Sequence, residues 1–306
     1  MVALINVESS LPRPLWALVR HLAVQPGRKQ RLVEAKAMLS PPTLFATTKE
    51  PERLDDGQRI FEKALNTAVA LGLVAVDDEV IALTDDIDGD DIAGFYDIVR
   101  GRVLTRVTPK EVVDDPSSQT NGKDLIRALS WFLTRGSQLD PVSTKTFNAE
   151  QYKALDIEFG NPLQNKERWN LFTYWAPALG FAEPLLLPFD DGTSGLVPDC
   201  TRAVRGAVRG MWKPGTKLDA PTFVAGLLHA LPVFPGGAFS VALGLPVGPR
   251  KVADSLAFAL QRGREGGWLK LTTSSDASNE MQFLDPAAPG GIGLFADVEI
   301  GDVTDV

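Results

Sequence analysis

The chain has 306 residues, 44% of them hydrophobic and 23% charged, with a formal net charge of −8. That composition belongs to a globular protein of two or three domains and excludes disordered, collagen-like and globally basic, nucleic-acid-wrapping classes. No apolar run approaches the roughly 18–20 residues of a membrane span, and the start lacks the basic region of a signal peptide, so a cytoplasmic protein with no membrane contact is expected. One cysteine, Cys200, and two histidines, His21 and His229, rule out an internal disulfide and leave little for metal or acid–base chemistry.

In chain order, residues 14–24 and 29–39 each carry a helical period, with Gly27 between them. From residue 55, Ile60, Phe61, Ala64, Leu65, Ala68, Val69 and Leu71 recur at spacings of three and four, which predicts an amphipathic helix. Asp55 or Asp56 is placed to cap its start, and Gly72 stands where a left-handed residue would end it. Two β-prone runs, 73–76 and 80–83, flank Asp77-Asp78-Glu79 and read as a hairpin. Helix, helix, helix, hairpin is the order of a winged helix-turn-helix, and the phrase ALGLVAVDDEVIALT resembles the join of third helix and wing in that superfamily. An acidic connector with a helix at 92–103 follows and closes near residue 118.

The same plan reads twice more. Residues 123–134, 148–159 and 164–179 are helical, the last ending in Ala-Leu-Gly-Phe and shortened by Pro177; runs 185–187 and 195–197 supply the wing around Asp190-Asp191-Gly192. The third pass takes 202–212, 220–230 and 250–261 as helices and 268–272 with 280–284 as a wing around the turn SSDASN. The expected fold is therefore α+β, mainly α with small β-hairpin wings. Three tandem winged-helix units (1–84, 119–200 and 201–285), in an elongated or arc-like arrangement, are joined by a connector (85–118) and followed by a loosely held acidic Gly/Pro-containing tail (286–306). Within the tail, Ile292, Leu294 and Phe295 form a candidate docking segment.

The charge is unevenly spread. Residues 1–60 carry nine Lys/Arg against six Asp/Glu, whereas residues 61–115 carry five against thirteen. Candidate phosphate contacts are Arg28, Lys29 and Arg31 at the start of the second helix, where helix N-termini favour anions, and Arg59 and Lys63 on the third. On the helix from residue 202, Arg202, Arg205, Arg209 and Lys213 fall within about 80° of one another, opposite Ala203, Val204, Ala207, Val208 and Met211. Arg250 and Lys251 begin the last candidate reading helix. Such stripes are also ordinary solvated surface, and base-reading side chains are scarce, so weak, sequence-tolerant contact with double-stranded DNA is the DNA-binding expectation. Trp169, Phe172 and Trp175 crowd one helix; they serve either as core or as a protein-partner surface.

Catalytic signatures are missing. Asp86, Asp88, Asp90 and Asp97 match calcium-loop positions, but Asp91 occupies the glycine position and the longer Glu is absent. No phosphate loop, dinucleotide fingerprint or nucleophile elbow is present, and Cys200 has no activating setting. A non-enzyme with no cofactor and no metal is expected.

The opening LINVESSLPRPLWALVRHLA, the segment LSPPTL and the helix LIRALSWFL are similar to the DpdG-like proteins. These are accessory components of bacterial gene clusters that place deazaguanine bases in genomic DNA and restrict unmodified invading DNA. The resemblance implies a non-catalytic subunit of an anti-phage restriction-modification system, docking ATPase or helicase partners. A winged-helix transcriptional regulator and a protein-interaction adaptor without DNA contact stay open beside it.

Overall fold

The computed structural model describes residues 3–6, 8–41, 54–114, 120–136, 141–189, 192–245, 247–273 and 279–303. The fold is α+β and mainly helical, with small antiparallel sheets of two or three strands. Among the described residues no helix is long and apolar enough to cross a membrane.

The first unit runs α1 (Pro12–Ala23), β1 (Lys29–Arg31), α2 (Leu32–Leu39), α3 (Leu54–Ala70), β2 (Val74–Asp77) and β3 (Val80–Leu83). Pro12 opens α1 where its missing N–H is no loss, and Leu15, Leu18, Val19 and Leu22 point into the core. Helix α3 stops at Gly72, which adopts φ +67°; the Leu73 N–H donates to Ala68 O at 2.9 Å and the Gly72 N–H to Val69 O at 2.9 Å. This paired C-terminal closure needs a residue that tolerates the left-handed region. β2 and β3 then turn through Asp78, and β3 lies between β1 and β2. The side chains of Asp55 and Asp56 lie outside the described residues.

Helices α4 (Ile92–Thr105) and α5 (Pro109–Asp114) form the connector; its expected boundary near residue 118 is outside the described residues. The second unit has α6 (Lys123–Phe132), β4 (Val142–Ser143), α7 (Phe147–Ala154), α8 (Lys166–Ala178), β5 (Ala182–Pro184) and β6 (Gly195–Pro198), with β6 between β4 and β5. Asn165 caps α8 by accepting the Arg168 N–H at 2.9 Å. Gly180 ends it at φ +79°, with Phe181 N–H donating to Ala176 O at 3.0 Å, so Ala-Leu-Gly closes α3 and α8 in the same way.

The third unit has α9 (Thr201–Met211), β7 (Lys217–Asp219), α10 (Ala220–Ala230), α11 (Ala238–Ala242), α12 (Asp254–Glu265), β8 (Leu269–Thr272), β9 (Met281–Leu284), β10 (Ile292–Phe295) and β11 (Asp297–Ile300). Its sheet has the order β7-β11-β8, and β9 pairs with β10 as a separate ribbon. Helix, strand, helix, helix, strand, strand therefore recurs three times. Each time the final strand sits centrally; the third copy adds α11 and the β9–β10 ribbon.

Four expectations differ from this structure. Residues 29–31 are strand, because Lys29-Gln30-Arg31 pairs with Val80–Ala82 before α2 begins at Leu32. The first strand of the second wing is Ala182–Pro184, three residues earlier than read, since Ala182 and Glu183 face Pro198 and Val197. In the third wing β8 does not pair with β9, and the SSDASN turn lies almost wholly outside the described residues. The tail is not loosely held: β11 enters between β7 and β8, burying Val298 and Ile300, while Phe295 packs edge-to-face on Phe283 with centroids 5.5 Å apart.

The units share one hydrophobic core. Asp124, fully buried at the start of α6, accepts the N–H groups of Ile5 (3.0 Å) and Leu4 (3.4 Å), pinning the N-terminal segment to the second unit. Burial pushes its carboxyl above the usual carboxylate range, against the opposing pull of these N–H donors and Arg168. Ser255 Oγ donates to Leu133 O at 2.8 Å, fastening α12 to the end of α6.

The central position of β11 is testable. Val298→Asp places an unpaired carboxylate at a fully buried position of the middle strand and should cost at least about 3 kcal/mol in chemical denaturation. A change within about 0.5 kcal/mol would mean that the segment is dispensable to the third unit.

Candidate functional site

The strongest concentration of cations lies where α4 crosses α9. Asp91 caps α4 by accepting the Gly94 N–H at 2.8 Å, and this register puts Asp97 and Arg100 one turn apart on the face toward α9. On α9, Ala203, Val204 and Val208 are buried, while Arg202, Arg205 and Arg209 lie on the other side. Gly206 sits at the crossing point: a Cβ there would come within 2.5 Å of Asp97 Oδ1 and 2.6 Å of Arg100 Nη2. A side chain at this position would have to displace the Asp97–Arg100 pair that fills the crossing.

The Asp97 carboxylate accepts from Arg100 Nη2 at 2.6 Å and from Arg209 Nη2 at 2.8 Å. Arg100, buried, also donates through Nη1 to Leu179 O at 3.1 Å. Arg202 donates to Pro177 O at 2.6 Å and to Glu183 Oε1 at 2.8 and 3.1 Å. Both arginines therefore satisfy carbonyls in the closing turn of α8, where carbonyls lack helical partners and cations are favoured. Burial lowers the Arg100 pKa most; Asp97 raises it, and Arg202 and Arg209 oppose Asp97 by like-charge repulsion.

Lys213 does not extend this stripe. Helix α9 ends at Met211 and Trp212 is extended, with φ −132° and ψ 145°, so the helical spacing stops two residues short. Arg250 and Lys251 lie in a turn ahead of α12 rather than on it; Arg250 has φ +56° and Lys251 approaches Asp254 at 3.8 Å.

In the first unit several basic residues pair with acids of the connector, the β2–β3 hairpin and the N-terminal segment. Arg28 pairs with Asp86, Arg31 with Glu79 at 3.0 Å, Lys63 with Glu8 at 3.9 Å, and Arg20 with Asp90 at 3.4 Å. Arg28 lies beside β1, Lys29 and Arg31 lie on it, and Arg31 is the N-cap residue of α2, with Lys29 exposed. Arg59 is exposed on α3. Asp86 and Asp90 of the acidic loop are taken up in these pairs, and among the described residues no group of three or more His, Cys, Asp or Glu is placed to hold a metal ion.

Trp169, Phe172 and Trp175 are core, not a partner surface: each is almost fully buried. Trp169 stacks on Phe147 at 5.1 Å and Phe172 meets Phe132 edge-on at 5.3 Å. The exposed aromatic of α8 is Tyr174, and between β5 and β6 Leu186 and Leu187 are 97% and 76% exposed. Cys200 is buried, its thiol donating to Phe181 O at 3.8 Å and held protonated by burial.

Sequence reasoning missed Tyr96, Asp97 and Arg100 as site residues. The spacing of Asp97 and Arg100 on a predicted helix was visible, but the crossing with α9, over a hundred residues away, was not.

A family model described as DpdG-like matches residues 2–277. No curated protein and no solved structure matches the chain.

Asp97→Asn should lower stability by about 1–3 kcal/mol, a range discounted for the partial exposure of Asp97, because buried Arg100 loses its counter-charge. Glu183→Gln, which breaks an exposed pair, should cost no more than about 1 kcal/mol. Urea denaturation of both variants checks the contrast; equal losses would deny the crossing its special weight.

Proposed function

The chain belongs to the DpdG-like family, and from that premise we propose that it is a non-catalytic accessory subunit of a bacterial deazaguanine DNA modification and restriction system. The observation that carries the reading is the threefold recurrence of one element order with one strand order, 1-3-2. In our reading each copy is a winged helix, a unit that serves as a nucleic-acid reader or a protein adaptor. The protein acts in the cytoplasm, its winged helices meet the DNA backbone weakly and without base specificity, and its exposed apolar positions dock the ATPase or helicase subunits that supply the energy-using chemistry.

Two observations apportion these roles. Exposed Lys29 and Arg59 in the first unit and Lys213, Arg250 and Lys251 in the third suit phosphate contact of the non-specific kind. The neighbouring Leu186 and Leu187 at the second wing suit a protein partner, because consecutive exposed leucines are unfavourable in water until covered. This second feature favours the adaptor reading over a stand-alone transcriptional regulator.

Duplex binding is expected to be weak and to fall steeply between low and moderate salt. Lys29→Glu with Arg59→Glu, or Lys213→Glu with Arg250→Glu and Lys251→Glu, should reduce it several-fold in gel-shift or fluorescence-anisotropy titrations. Leu186→Ser with Leu187→Ser should leave duplex binding intact and release a motor-type subunit that co-purifies with the tagged native protein. Tight binding to one palindrome by a protein that retains no partner would overturn the accessory reading in favour of a regulator.

A further inference from the structure

The β9–β10 ribbon leaves one backbone edge open. Ile292 lies opposite Leu284, Gly293 opposite Phe283, Leu294 opposite Gln282 and Phe295 opposite Met281. Antiparallel pairs alternate between those that exchange hydrogen bonds and those whose N–H and C=O groups turn away from each other. The Asp285 N–H donates to Gly291 O at 3.0 Å, which sets the phase: Gly293 and Phe295 bond across the ribbon, and Gln282, Leu284, Ile292 and Leu294 turn outward. On the β9 side the outward groups are engaged. The Gln282 N–H donates to Arg250 O and Gln282 O accepts from the Val252 N–H, both at 2.8 Å, while Leu284 O accepts from the Gln261 amide. On the β10 side the N–H and C=O groups of Ile292 and Leu294 meet no partner among the described residues. A cleft of about 670 Å³, lined by Ile292–Leu294 and by Leu271–Thr273, keeps this approach open.

An open edge is a template for another strand, and folded chains blunt it with charge, proline, shortness or cover. Among the described residues the other edge strands carry such a device. Lys29 and Arg31 lie on β1, β2 ends at Asp77, β4 has two residues, β5 ends at Pro184, and Lys217 and Lys270 lie on β7 and β8. Strand β10, Ile-Gly-Leu-Phe, carries none of these. Its outer face is apolar as well: Ile292, Leu294 and, across the ribbon, Leu284 are 56%, 41% and 36% exposed.

We propose that β10 joins two copies of this chain, edge to edge and antiparallel, in a sheet of order β9-β10-β10-β9. Only extended backbone brings donors and acceptors at the spacing of this edge, and β10 is its own best match. With the twofold axis at Gly293, Ile292 of each copy exchanges two hydrogen bonds with Leu294 of the other, and every outward group of both edges is paired. Sliding the register two residues either way pairs a single strand residue of each copy. The central contact is glycine against glycine; a Cβ at Gly293 would already lie 2.6 Å from Phe283 Cε1 of its own ribbon, so backbone meets backbone there. The same register sets Ile292 beside Leu294 of the second copy, joining two half-exposed strips into one apolar face. Because the far edge of β9 is covered at Gln282, this isologous contact closes at two copies. Its area is small, so the association is of the weak, reversible kind. It stands or falls apart from duplex binding.

Sedimentation velocity of the full chain, from micromolar to near-millimolar concentration, tests it. A monomer–dimer equilibrium is expected, with amide hydrogen exchange at Ile292 and Leu294 slowing as the dimer fills. Leu294→Pro deletes an outward N–H and leaves the bonds of Gly293 and Phe295 to β9 in place. Ile292→Lys puts a charge on the edge at a residue already exposed, so it keeps the test decisive should the proline variant unfold the ribbon. Each should weaken dimerisation about tenfold or more without moving the thermal midpoint of the monomer. Leu186→Ser with Leu187→Ser should leave the dimer intact. A chain that stays monomeric throughout, whether or not a foreign strand seats on β10, overturns the proposal. So does a dimer indifferent to both β10 substitutions, or one lost with the Leu186 and Leu187 pair.

Discussion

The approach of α4 to α9 at Gly206 is the constraint on which the connections between units depend. It brings Asp97 between two arginines, and Arg100 reaches past it to the last carbonyls of α8. One buried guanidinium thereby touches the connector, the second unit and, through Asp97, the third. Such an arrangement has narrow tolerance: a buried cation is stable only while its acceptors hold position, since removing one partner costs more than the pair contributes when intact.

Charge counted along the chain also misleads. Residues 61–115 carry the acidic excess, and in space much of it lies against cations of the first unit, as Asp86 on Arg28 and Asp90 on Arg20. These exposed pairs contribute little to stability, about 0–1 kcal/mol each. Their consequence is electrostatic: they mute the first unit's basic face.

Sequence patterns made the long elements legible and the short ones invisible. Helix α3, the hairpin β2–β3 and the Gly72 closure were readable because a seventeen-residue period and a glycine stop are strong local signals. Strands β1, β4 and β7 are two or three residues long and show no alternation to detect. The role of β11 was hidden for another reason. Its segment is Gly- and Asp-flanked and reads as tail, yet closing the β7-β11-β8 sheet depends on chain returning from beyond the β9–β10 ribbon. The arginine cluster was half legible: the α9 stripe follows from helical spacing, but Tyr96, Asp97 and Arg100 join it only through long-range packing.

The three copies keep one architecture and diverge where an element faces outward. On α3 the outward face carries Arg59 and the half-exposed Ile60; on α8 the corresponding helix turns Trp169, Phe172 and Trp175 inward and leaves Tyr174 outside; α12 is preceded by the Arg250–Lys251 turn. Inward positions are held by packing density, where a lost methylene is felt. Outward positions are free to change, and chemistry accumulates there without disturbing the repeat.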